Sequence, residues 1–233
     1  MQEGQMVTVK DNQQFVDKLV TEIIIPASEQ LLDSQYFSDL RKGILTIQRI
    51  QGYALQHTWF NRALLKSGAI RLIKASDNPQ AFADMLEGIV AEHNHPDMCQ
   101  QFGIEIGLTD QDFIDTVPIH EVLCHTSVIV ASSLINSSAP ARRTSGLVNE
   151  TIVQRYSDEF YNSLQKHPYN IPSEKLEFFR IHGLVDLEHS KRAGEIVASL
   201  IQNERDRELV WQAAQTQVQL KLAKFEGIYK AYA

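Results

Sequence analysis

The stretch FFRIHGLVDLEHSKRAGEIV, residues 178–197, decides the reading of this chain. After its two opening aromatics it is well suited to a helix, and it carries His182, Asp186 and His189. At about 100° per residue, Asp186 lies about 40° from His182 and His189 about 20° to the other side. The three therefore share one narrow stripe, while Glu188 and Lys191 fall elsewhere on the wheel. Leu184, Val185, Ala193 and Ile196 supply apolar surface around the stripe. Two imidazoles and a carboxylate set in apolar surroundings suit a metal bound inside a helical bundle.

Outward from this helix the dominant period is also helical, with glycine and proline kept mostly between periodic segments. One helical region is expected at about 11–40, bent near Pro26 and ended by Gly43. EIIIPA at 22–27 is the best strand candidate, but Pro26 and its flanks favour a bent or interrupted helix. Further helices are expected at about 46–75, from Asn78-Pro79 towards His95, and in PDMCQQFGIEIGL. TDQD at 109–112 offers an N-cap. Pro118 opens a helix of about 18 residues, and NSSAPARRTSG reads as a loop. The last three helices cover about 144–166, 173–202 and 204–231, Ser173 with Glu174 and Glu177 marking the start of the second. The expectation is all-α, an up-and-down bundle of seven to eight helices in a single domain over 1–233.

A chain of 233 residues with 43% hydrophobic content can bury a full core. The net charge of −7 and the lack of a dense basic patch argue against nucleic acid as a partner. ARR at 141–143 and KR at 191–192 read as solvated surface. No apolar run approaches the roughly 20 residues needed to span a bilayer, and the polar start MQEGQMVTVKDNQQ lacks a signal-peptide core. The expectation is a cytoplasmic protein with no membrane partner. Cys99 and Cys124 form neither a disulfide framework nor a CxxC site. Cys124 reads as a small core residue, and Tyr53, Trp59 and Phe60 read as core aromatics, with the lining of a substrate cavity as their other reading.

A dinuclear bundle site needs about six ligands drawn from several helices. Glu150 follows Val148 and precedes Ile152 and Val153, which sets it on or near a buried face. MLEGIVAEHNHPDM offers Glu87, Glu92, His93 and His95. Glu87 and His95 differ by about 80° on an ideal helix, Glu92 and His95 by about 60°. Spacing does not choose between the two glutamates. Glu87 lies in the apolar part of the segment, Glu92 in a polar run near its end. His120, Glu121 and His125 form a rival group that reads as packing or a satisfied core histidine, and His57 is a lone candidate.

With these residues together, the chain resembles the haem-oxygenase-like superfamily, which holds the TenA thiaminases, the PqqC oxidase, the CADD-like proteins and the di-metal oxidases. The resemblance spans about residues 30–230 and is nearest the CADD-like and di-metal oxidase branch. It rests on aromatic-aromatic-x-x-His-x-x-x-Asp-x-x-His, met by Phe178, Phe179, His182, Asp186 and His189. It implies a glutamate one helix earlier, at Glu150, and a Glu–His pair on the third core helix, at Glu87 and His95, with Glu92 as the alternative glutamate. The implied metal set is Glu87, His95, Glu150, His182, Asp186 and His189. Neither cysteine sits in a thiaminase context, which argues against thiamine hydrolysis. The lysine that CADD-type aminobenzoate synthesis uses has no counterpart after Glu150, where Phe160 lies.

The implied activity is a metal-dependent oxidase or oxygenase. It would hold two iron ions, with manganese as the other option, and act with O₂ on a small organic substrate. A metal-free PqqC-like or TenA-like enzyme, with the histidines as acids and bases, and a non-catalytic binding or interaction protein are the alternatives. A homodimer is left open.

Overall fold

The structure is a computed structural model that describes residues 9–233 except Asn78, and all their side chains except those of Val9 and of residues 184–189. Among the described residues there is no strand. The helices are α1 (Val9–Leu19), α2 (Ile25–Leu32), α3 (Gln35–Arg41), α4 (Ile47–Lys74), α5 (Pro79–Glu92), α6 (His95–Glu105), α7 (Asp110–Asp115), α8 (His120–Ile135), α9 (Ala139–Leu164), α10 (Glu177–Leu200) and α11 (Glu204–Ala231). The long helices α4, α8, α9, α10 and α11 build the bundle. Short ones subdivide stretches that read as single units in the sequence. No described helix is long and apolar enough to cross a membrane.

Pro26 does bend its helix, by a specific device. Val20–Ile24 forms a π-helical turn, and the Ile25 N–H bonds back to the Val20 carbonyl. Proline lacks an N–H, and its ring collides with the carbonyl four residues back. A wider turn just before it removes both conflicts and sets Pro26 in the first turn of α2. The expected loop NSSAPARRTSG is shorter than its composition suggests. Ser138 caps α9, its hydroxyl accepting the Ala141 N–H at 3.5 Å, and Pro140 occupies the first turn. The helix therefore starts five residues before the expected 144. That earlier start carries Arg142 and Arg143 onto the helix, where both are partly buried. They are not the solvated surface pair expected.

The core is aromatic where α3, α4, α9, α10 and α11 meet. Phe160 and Phe179 stack with centroids 4.6 Å apart and planes 18° apart. Tyr53 lies 4.7 Å from Phe160 and 5.7 Å from Phe225. Helices α9 and α10 pack along much of their length, and Gly183 makes this close approach feasible. A Cβ there would collide with the Asp158 carboxylate. That glycine adjoins His182, so the tightest part of the α9–α10 contact fixes the height of the histidine stripe.

Candidate metal centre

His182 lies on α10 and is 6% exposed. Its Nδ1 stands 2.6 Å from the Phe178 carbonyl oxygen, one turn earlier. A carbonyl can only accept, so Nδ1 carries the proton and Nε2 keeps its lone pair. This is how a protein fixes the tautomer of a ligating histidine. Burial, helped by neighbouring His95, lowers the pKa of His182 to about 4, so the ring is neutral at pH 7.

His95 opens α6, directly before Pro96, and is buried. Its ring lies 4.4 Å from that of His182. Its Nδ1 is 2.6 Å from a carboxylate oxygen of Glu92, the last residue of α5. The contact is an ion-pair approach without aligned hydrogen-bond geometry. Burial pulls the His95 pKa down, but the carboxylates of Glu92 and Glu150 more than offset it and the net shift is upward. The short break between α5 and α6 is thus what brings an acid and an imidazole together.

Glu87 has a different environment. Its carboxylate takes two bonds from Arg192, at 3.1 and 2.6 Å, and its side chain is 63% exposed. Glu150 lies mid-way along α9 and lines a cleft of about 210 Å³ between α4, α5, α9 and α10, which Glu92, Glu87 and Arg192 also line. Asp186 and His189 belong to α10, and their side chains lie outside the described residues. Among the described residues no three His, Cys, Asp or Glu side chains converge closely enough to hold a metal.

The rival group does not converge. His120 is exposed with Nε2 3.4 Å from Cys124 Sγ, Glu121 lies against Gly227, and His125 is buried with Nε2 3.0 Å from Gln217 Oε1. His57 is a core histidine. Its Nδ1 faces Lys224 Nζ at 2.8 Å and its Nε2 faces the Tyr156 hydroxyl at 3.5 Å. Cys99 is fully buried, which pushes its thiol up to about 12. Sequence reasoning passed over Lys221 and Lys224, both buried on α11. The signal was present in VQLKLAKF, where two lysines three apart share the apolar face.

The fold is widely shared among solved structures. A TenA homologue from Pseudomonas syringae pv. tomato superposes with a TM-score of 0.81, 15% identity and 96% coverage of both chains. A domain of unknown function with a haem-oxygenase-like fold from Shewanella denitrificans gives 0.79, 16% and 93% of both chains. A TenA homologue from P. horikoshii gives 0.76 and 18%, covering 93% of this chain and 98% of the other. At these identities the likeness establishes the fold. No curated protein matches the sequence. A family model described as iron-containing redox enzyme matches residues 80–222, which hold nearly all of α5 to most of α11 and all six residues of the implied metal set. The chain belongs to this haem-oxygenase-like family of iron-containing redox enzymes.

Proposed function

We propose that this protein is an iron-dependent oxidase or oxygenase that acts with O₂ on a small organic substrate. One observation carries the reading: two buried imidazoles with ring centroids 4.4 Å apart, one with its tautomer fixed by a carbonyl and the other approached by a carboxylate at 2.6 Å. Imidazole and carboxylate thus already meet at one point, the His95 Nδ1 facing Glu92 at 2.6 Å. The residues that would hold the metal are Glu92, His95, Glu150, His182, Asp186 and His189. Glu92 replaces Glu87 because it already meets His95, whereas Glu87 is bound to Arg192. Three carboxylates and three imidazoles favour iron or manganese over zinc, in a pair of ions as in other carboxylate-rich bundles.

Iron held there supplies O₂ activation, which no side chain can. The Phe178 carbonyl holds the His182 ring and its proton. The apolar walls of the cleft, including Leu64, Leu65 and Ile89, exclude water from the substrate. The test is anaerobic Fe(II) loading followed by elemental analysis and O₂ uptake. About two equivalents, falling in Glu92→Gln and not in Glu87→Gln, supports this ligand set. A plateau near zero removes the oxidase reading and leaves the metal-free or non-catalytic alternatives.

A further inference from the structure

The cleft beside Glu92 and Glu150 is chemically polarised along its length. Arg143 and Glu150 are seven residues apart on α9, so they share a face within about 20° and are separated by about 10 Å along the axis. Leu64 and Arg71 stand in the same relation on α4. On α5, Met85 contacts Arg143, and Glu92 lies two turns further on. Three helices thus agree. One end of the cleft holds Arg71 and Arg143, and the other holds Glu92 and Glu150.

The two arginines are poorly satisfied. Arg71 reaches the carbonyls of Ser67 and Arg142, both at 3.4 Å. Arg143 donates to the thioether of Met85, a weak acceptor. Among the described residues neither forms an ion pair. Of the cleft acids, Glu87 pairs with Arg192 at 2.6 Å, while Asp84 lies 3.8 Å from Arg192 and acts on Arg143 through its charge alone. Burial lowers the pKa of Arg71 to about 10, and that of Arg143 falls too, although Asp84 and Glu150 offset part of the latter shift. Two guanidiniums short of acceptors at the end of an apolar-walled cleft ask for an anion.

Two helical glycines line the middle of the cleft. Gly146, between Arg143 and Glu150, and Gly88 on α5 both line it, and a Cβ on either would meet nothing within 4 Å. A glycine inside a helix costs about 1 kcal/mol relative to alanine. At Gly146 that cost keeps the floor flat between the cationic and acidic ends.

We propose that this cleft is a binding site for a small straight-chain organic acid, its carboxylate clamped by Arg71 and Arg143 and its hydrocarbon body lying over Gly146 towards Glu92 and Glu150. The volume, below the roughly 300–1,000 Å³ of drug-sized pockets, limits the ligand to a small metabolite. This deepens the oxidase reading and rests on it for what happens at the far end. The carboxylate then sits about two helical turns from the metal residues, and the distal end of the chain lies nearest them.

The test is calorimetric titration of the metal-free full chain with hexanoate and with 1-hexanol. The expected result is hexanoate binding at least tenfold tighter than hexanol. Arg71→Gln and Arg143→Gln should each weaken hexanoate at least tenfold and leave hexanol unchanged, and Gly146→Leu should abolish both. Circular dichroism checks folding, and Arg143→Gln alone decides the matter if Arg71→Gln unfolds. Hexanoate no tighter than hexanol, no binding of either, or undiminished hexanoate binding in a folded Arg143→Gln variant overturns the proposal. Because no metal is present, its failure is separable from that of the oxidase reading. Iron loading can fail with hexanoate selectivity intact, or the reverse.

Discussion

Two buried polar clusters lie within this bundle, and they solve the cost of burying polar groups in opposite ways. In the first, the rim cluster, buried His95 and His182 stand beside Glu92, which itself lines the cleft, so the site supplies negative charge and imidazole lone pairs. In the second, Lys224 faces His57 at 2.8 Å, with the Phe60 ring 4.2 Å from its Nζ. No carboxylate pairs with Lys224 among the described residues, and burial first, then the charge of Lys221, drives its pKa well below that of an ordinary lysine. A lone buried ammonium is costly, which is why the shift runs toward the uncharged amine. The rim cluster holds donors that a cation would satisfy. The deep cluster closes on itself through contacts that link Lys224, His57 and Tyr156, with the Tyr53 hydroxyl donating to that of Tyr156. Burial of polar groups alone thus does not mark a metal site; the sign and openness of the cluster do.

The comparison requires the two clusters to be separable. Phe160, fully buried between Tyr53 and Phe179, belongs to the deep side. Phe160→Ala should cost about 3–5 kcal/mol in urea denaturation, the range for a large cavity in an aromatic core. Iron stoichiometry of the folded variant should not change. Loss of iron without loss of fold would show that the deep core holds the rim in place.

His182→Ala is the converse experiment. It should weaken Fe(II) binding more than 100-fold, since even outer-shell changes cost 10- to 100-fold. The metal-free fold should change by only about 1 kcal/mol, because the ring is one polar group on a stripe flanked by apolar residues. Lys224→Met, in the deep cluster, should keep its iron. If it loses as much metal as His182→Ala, the two clusters are one site.

How much of this was legible in the sequence follows from the same contrast. The 3.6-residue period gave away the helices, and α11 falls on its expected bounds because Asn203 supplies a cap at the right place. The stripe of His182, Asp186 and His189 was visible since it lies within one helix. The choice between Glu87 and Glu92 was not, because it depends on the break between α5 and α6 and on Arg192, 105 residues away. Arg143 read as surface because its stretch looked like a loop, and only the cap at Ser138 puts it on the cleft. Lys224 was missed since a lysine normally implies exposure, and one packed against the Phe60 ring in the core breaks that inference.

The pH dependence of stability should report the deep cluster. Burial, then the charges of Lys224 and Lys221, holds His57 well below its ordinary pKa, and His125 is depressed by the same causes. A base with a depressed folded pKa binds fewer protons folded than unfolded. Stability is therefore unaffected above about pH 6.5 and falls as pH drops below it, by up to about 1.4 kcal/mol per pH unit per histidine. His182 acts in the same direction between about 6.5 and its folded value of about 4. His95, with a raised pKa, opposes them, its contribution being complete below the unfolded pKa and lost as pH rises through the folded one. Three against one predicts net acid lability of the metal-free protein. Urea titrations at pH 7 and pH 5 measure it, and His125→Leu should flatten the slope by one histidine's share. An unchanged slope would mean that His125 is protonated in the folded chain.

The smallest effect is expected at Ser138, and it bears on the cationic end of the cleft alone. Its hydroxyl accepts the Ala141 N–H at 3.5 Å and donates to Asp206 at 2.7 Å, tying the first turn of α9 to α11. Ser138→Ala removes a cap worth about 1 kcal/mol. The Asp206 carboxylate keeps the bond from the Gln202 N–H at 3.1 Å, so the loss should stay local. Fraying of the first turn of α9 reaches Arg143 before Glu150, which lies two turns further in. The variant should thus bind hexanoate a few-fold more weakly while binding iron normally and keeping the wild-type pH slope. A parallel fall in iron affinity would show that the cationic end of the cleft and the metal end move as one body. An unchanged hexanoate affinity would mean that Arg143 is held by its contacts with Met85 and the cleft wall rather than by the helix cap.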